Sequence, residues 1–177
     1  NQWGLERNTE ELNFFLKSLG AEVLLEQVED QNPAFQIPKP NLSSVSALAW
    51  TDNITPHFLT KGVTGFLYPS DYGTMCYYTH PVKVTDDWDI LIQGSSTARS
   101  VTAMLGAKDP SKSKKPGSLT KEPPLLAVRK SGRGRIALWP MIPSATIIDG
   151  YHRFWGDGLT MVSRNPEHPS EGEVLIG

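Results

Sequence analysis

The chain has 177 residues, 38% of them apolar, and a formal net charge of −2. That length suits one domain able to bury a sizeable core, and the charge argues against a nucleic-acid partner held through phosphates. No run of 18 apolar residues occurs, so no transmembrane helix is expected, and the single cysteine, Cys76, excludes an intrachain disulfide. One cysteine fits a reducing compartment without excluding export, and no signal peptide is expected in the opening residues. Fourteen prolines and fifteen glycines predict a large share of loop.

In chain order, the first element is a helix over Asn8–Gly20. Asn8 would cap it with Glu11 at the capping-box position. Leu12, Phe15, Leu16 and Leu19 recur at helical spacing, and Gly20 suits the C′ position. Ala21–Gln27, with Val23, Leu24 and Leu25, reads as a strand, and helix followed by strand is half of an α/β repeat. Glu29–Ser44 is rich in Pro, Asn, Gln and Ser and reads as loop. Val45–Trp50, Val63–Tyr68, Met75–Tyr78 and Asp87–Gln93 read as short strands. Thr51–Lys61 is a connection in which His57 packs or caps.

Gly106–Pro124 holds five lysines (Lys108, Lys112, Lys114, Lys115, Lys121) among prolines and serines. It reads as a mobile surface loop, since a nucleic-acid tag would want aromatic residues to stack bases. Leu125–Val128 and Ile136–Trp139 then flank Ser131-Gly132-Arg133-Gly134-Arg135, a hairpin whose two glycines would supply positive φ. Beyond it, Ile142–Phe154 reads as a short helix or irregular loop, and Gly172–Ile176 as the start of a last element.

These pieces resemble, in order, the class I glutamine amidotransferase-like domains of the trehalose-utilisation kind. The carriers are the Asn8–Gln27 helix and strand, Ile54–Val63 (ITPHFLTKGV), Trp88–Gln93, the glycine-punctuated Leu126–Leu138 pair and Glu167–Ile176. The resemblance implies an α/β, flavodoxin-like, mostly parallel sheet flanked by helices, with an antiparallel hairpin near the C-terminal part. It also implies that 1–177 is a single domain incomplete at both ends, because a first strand and a final helix would lie outside it.

The resemblance stops at the nucleophile. An amidotransferase cysteine sits on a glycine-flanked elbow, where the helix N-terminus and a histidine make it a thiolate. Cys76 lies in Thr74-Met75-Cys76-Tyr77-Tyr78, a strand-like setting, with His80 roughly 13 Å away by strand rise. It reads as a structural thiol. His57, His80, His152 and His168 form no metal-binding spacing, so no metal is expected. Asp149, His152 and Asp157 cluster beside Tyr151 and Trp155. They are the candidate catalytic groups, with a carboxylate or the imidazole as general base, although an exposed turn explains them as well. Ser95 and Ser96 follow a strand, where a ligand loop can lie in an α/β sheet; a helix cap is the plainer reading, and the phosphate-binding glycines are missing. No cofactor is expected. Arg133 and Arg135 suit an anion, but more simply a solvated turn. Of five tryptophans, Trp50, Trp88 and Trp139 read as core, whereas Trp3, Tyr151 and Trp155 are free to stack on a sugar.

The expectation is therefore a non-catalytic structural or binding module of a larger protein, its partners being other domains or chains of that protein or a carbohydrate. The alternatives are a hydrolase acting on a sugar or small amide, and a subunit completed by a partner chain.

Overall fold

In a computed structural model, residues 5–37, 48–70, 79–102 and 114–140 are described. The order is α1 (Leu5–Ser18), β1 (Ala21–Val23), β2 (Gln27–Glu29), a 3₁₀ turn at Pro33–Phe35, β3 (Gln36–Ile37), β4 (Leu48–Thr51), a 3₁₀ turn at Phe58–Thr60, β5 (Phe66–Pro69), β6 (Val82–Val84), β7 (Asp89–Gln93), β8 (Arg99–Thr102), β9 (Lys115–Pro116), β10 (Pro124–Ser131) and β11 (Gly134–Leu138).

Every strand pairing among the described residues is antiparallel. The strands form a β1–β6 ladder and three three-stranded sheets, β11-β10-β7, β2-β8-β9 and β3-β4-β5. The expected parallel, flavodoxin-like α/β sheet is therefore overturned. Parallel neighbours need crossovers of a dozen residues or more, usually helical. Among the described residues α1 is the one α-helix, and β1 pairs not with a second α/β repeat but with β6 (Ala21 opposite Val84).

The helix starts at Leu5, so Asn8 lies within it rather than capping it. Leu5, Glu6 and Arg7 are good helix formers, and one interior Asn costs well under ~1 kcal/mol. The C-terminal end follows the sequence: Gly20 has φ +72°, and a Cβ there would sit 2.2 Å from Thr85 Oγ1. Asn13, buried on the inner face, exchanges two 2.8 Å hydrogen bonds with the Val23 main chain. The β1 edge not paired with β6 is thus closed by a side chain.

Two apolar cores share β10. Leu125, Leu126 and Val128 join Val28, Phe66, Tyr68, Leu91 and Ile92 in one, while Ala127 joins Leu16, Val23, Val82 and Trp88 in the other. Strict alternation would not put Leu125 and Leu126 in the same core. The register against β7 shifts on either side of Leu126, and this irregularity turns both leucines the same way. A strand covered on both faces reads as an unbroken apolar run, which is why Leu125–Val128 stands out in the sequence. In the hairpin, Gly132 alone takes positive φ (+57°), the first-position requirement of a two-residue loop; Gly134 does not, and opens β11 opposite Ser131.

Candidate functional site

The organising segment is Glu26-Gln27-Val28-Glu29-Asp30, around β2. Val28 enters the core, and three carboxyls each hold a distant piece of chain. Asp30 is 1% exposed. Its carboxyl accepts hydrogen bonds from the Ser95 hydroxyl, from Thr97 Oγ1 at 2.9 Å and from the Asn32 amide at 3.0 Å. Its own amide donates to Ser70 Oγ at 2.8 Å, and its carbonyl accepts from Gln36 Nε2 at 2.8 Å. Burial, reinforced by Asp30, pushes the Tyr68 phenol well above its ordinary value of 10.

Glu29 is equally enclosed. It accepts from Arg99 Nε and Nη2 at 3.1 and 2.8 Å and from Lys114 Nζ at 3.0 Å. These groups line a cleft of about 340 Å³ with Gln31, Val101 and Lys115. Arg99 and Lys114 are already engaged by Glu29, so the cleft's chemistry is that of a tie between β2, β8 and β9 rather than of an open anion site. Glu26 accepts from the Ser118 amide and hydroxyl at 3.0 Å and from Ser100 Oγ at 2.5 Å. The close approach requires Gly117, whose Cβ would lie 2.4 Å from Ser100 Oγ and 2.6 Å from Glu26 Oε2. From Lys114 onward, then, the expected 106–124 surface loop is tied down: Lys115–Pro116 pairs with β8, and Lys114 is mostly buried in an ion pair.

The second feature is a cleft of about 440 Å³ between α1 and the β1–β2 corner. Phe14, Val23, Leu24 and Leu25 supply its apolar wall, and Glu10, Glu22 and Glu26 are its carboxyls. Around the outer surface of α1, Phe14 is 85% exposed, Phe15 60% and Leu12 45%, with Leu25 at 46% across the cleft. Leu16 is buried as its spacing predicts, but Leu12 and Phe15, expected on the same apolar face, point outward.

Ser95 lies inside, on Asp30, and Ser96 is an exposed turn residue. Asp149, His152 and Asp157, with Tyr151 and Trp155, lie outside the described residues, as do Cys76, Trp3 and His168. His57 caps its 3₁₀ turn, accepting from the Leu59 amide at 3.2 Å through Nδ1. Arg133 is exposed, and Arg135 lies over the Phe58 ring at 4.6 Å, a cation–π contact. Trp88 is buried and donates to the Leu19 carbonyl at 2.8 Å, while Trp50 and Trp139 are half-buried. Among the described residues no group of three or more His, Cys, Asp or Glu is placed to hold a metal, and no helix is long and apolar enough to cross a membrane. Sequence reading missed the carboxyl cluster, because acids near a Pro- and Asn-rich stretch look solvated. The available signal was Val28 set among them.

His80 makes the fold sensitive to acid. Its Nδ1 lies 2.7 Å from the Glu26 carbonyl, and its amide donates to the Pro140 carbonyl. Burial lowers its pKa below 6.5, and hydrogen bonds to the Glu26 and Leu24 carbonyls oppose the shift only in part. Above pH 6.5 the folded and unfolded chains are both neutral at this site, so it imposes no penalty. As the pH falls below 6.5 the unfolded chain takes up a proton that the folded chain resists, and stability declines until the folded-state pKa is passed. Asp87, its pKa lowered by the Thr85 hydroxyl and by Arg129 at 3.0 Å, adds a loss only below 3.8. Urea midpoints at several pH values should be level from pH 7 to 8 and fall towards pH 5, and His80→Asn should remove most of that slope. Equal midpoints at pH 5 and 7 in the unmodified chain would refute the assignment.

Comparison with known proteins finds no matching family, no similar characterised protein and no similar solved structure.

Proposed function

We propose that this chain is a binding module that docks another polypeptide, a domain or a chain, through α1 and the β1–β2 corner. The observation that carries the reading is the exposure of three large apolar side chains of α1, Leu12, Phe14 and Phe15, together with that of Leu25, which lines one cleft with Phe14. Single exposed apolar residues are ordinary, but a group of them on one element, aromatics included, is the usual mark of an interaction surface. The helix does not need them for its own attachment. Leu16, Asn13 and the Leu19 carbonyl already hold it to the sheet. The carboxyl cluster around β2 supports the same reading from the other side, since it keeps the corner that carries Leu24 and Leu25 in one position.

The test places a photo-crosslinking benzoylphenylalanine at position 15 in cells that make the protein, with the exposed Lys61 position as control. A discrete adduct with one polypeptide from position 15 and none from position 61 is expected. Crosslinks as sparse and scattered from position 15 as from position 61 would overturn the reading.

A further inference from the structure

The cleft beside α1 shows what kind of segment that partner presents. Resting on the binding reading above, we infer that it accepts a basic, apolar segment: one aromatic or branched aliphatic side chain seated between Phe14 and Leu25, flanked by Lys or Arg. At about 440 Å³ the cleft has the volume to take a side chain, and four of its ten lining residues, Phe14, Val23, Leu24 and Leu25, are apolar. Its charge is one-sided. Lys17 is the one cation among its described lining residues, and it is paired with Glu22 at 3.4 Å. Glu26 is held by Ser100 and Ser118, neutral donors that do not cancel its charge, and Glu10 has no cationic partner among the described residues. Among the described residues the cleft thus carries three carboxylates, Glu10, Glu22 and Glu26, against one cation, Lys17, beside an exposed phenylalanine. A segment carrying its own acids would meet repulsion there, and a purely apolar one would leave Glu10 partly desolvated with no cation among the described residues beside it. Lys or Arg next to the anchor pairs with Glu10 and lays its methylene stem along Phe14 and Leu25.

A second copy of the chain presents a competing occupant, because the exposed tip of the β10–β11 hairpin carries Lys130, Arg133 and Arg135. Such a contact would be head-to-tail and would build open chains rather than a closed dimer, so a partner polypeptide is the occupant we assign.

The experiment selects a phage-displayed library of random dodecapeptides on the whole chain, then measures a synthetic peptide of the enriched consensus. Enriched sequences should hold an aromatic, Leu, Ile or Val side chain with Lys or Arg within two positions. Binding should weaken at least tenfold with Glu10→Lys and with Leu25→Asp, both at exposed positions, with the melting temperature kept. It should also weaken between low and moderate salt. An acidic or neutral consensus, binding indifferent to Glu10→Lys, or no consensus at all would overturn the inference. If a discrete adduct still forms from position 15, the binding reading survives that failure; if it does not, both fall. Concentration-dependent association of the chain, abolished by Arg133→Glu, would assign the cleft to a second copy and also overturn the inference.

Discussion

Asp30→Ala is expected to destabilise the fold by roughly 2–4 kcal/mol, because it strips a partner from the buried Ser95 hydroxyl and the half-buried Asn32 amide at once. The Ser95 and Thr97 hydroxyls and the Asn32 amide all converge on this carboxyl, which is 1% exposed. An alanine offers none of them an acceptor; the exposed Thr97 hydroxyl can turn to water, but the buried Ser95 hydroxyl has little access to it. Urea unfolding followed by circular dichroism measures the loss. The network adds a sharper requirement. Ser95→Ala should cost about 1–2 kcal/mol in the unmodified chain and much less once Asp30 is alanine, since its partner is already gone. A cost below about 1 kcal/mol for Asp30→Ala, or full additivity of the pair, would mean that Asp30 is not the node described above.

Leu91→Ala should cost roughly 2–5 kcal/mol, the range of a leucine deleted from a packed interior with the cavity left behind. Leu91 is fully buried in β7, within the larger core and beside β10. Its carbonyl also accepts the Thr55 amide at 2.9 Å, which holds the strand in place and limits how far the site can collapse. The same truncation at Phe14, 85% exposed, should leave stability nearly unchanged. Equal losses at the two positions, measured by the same unfolding experiment, would contradict the assignment of core and surface.

Much of the local structure was legible. The Leu125–Trp139 hairpin, the strand ending at Gln93, the left-handed Gly20 after α1 and the capping by His57 each follow from neighbouring residues, because turns and caps are settled by local chemistry. The carboxyl cluster was not. Ser95 reads from the sequence as a polar residue after a strand, but its partner Asp30 lies 65 positions away, and no spacing rule reaches that far. The period of Leu12 and Phe15 puts them on an apolar face, which shows only that a helix is one-sided. It does not show how wide a stripe its neighbours cover.

What the sequence determined by itself, then, was the position of α1, β4, β5, β7 and the β10–β11 hairpin and which residues bend the chain beside them, since these rest on propensity, period and turn geometry; the short strands β3, β6, β8 and β9 carry no such local signal. What only the tertiary structure decided was the direction of the strands and the fate of the side chains. Strands of three to five residues look the same in parallel and antiparallel sheets; the difference lies in which distant strand supplies the hydrogen bonds. The pairing of β1 with β6, rather than with a further α/β repeat, replaced a parallel sheet with antiparallel ones. By the same long-range pairing, Glu29 and Asp30 became interior ties and the half-buried Glu26 a tie at the surface, while Phe14 was left facing outward.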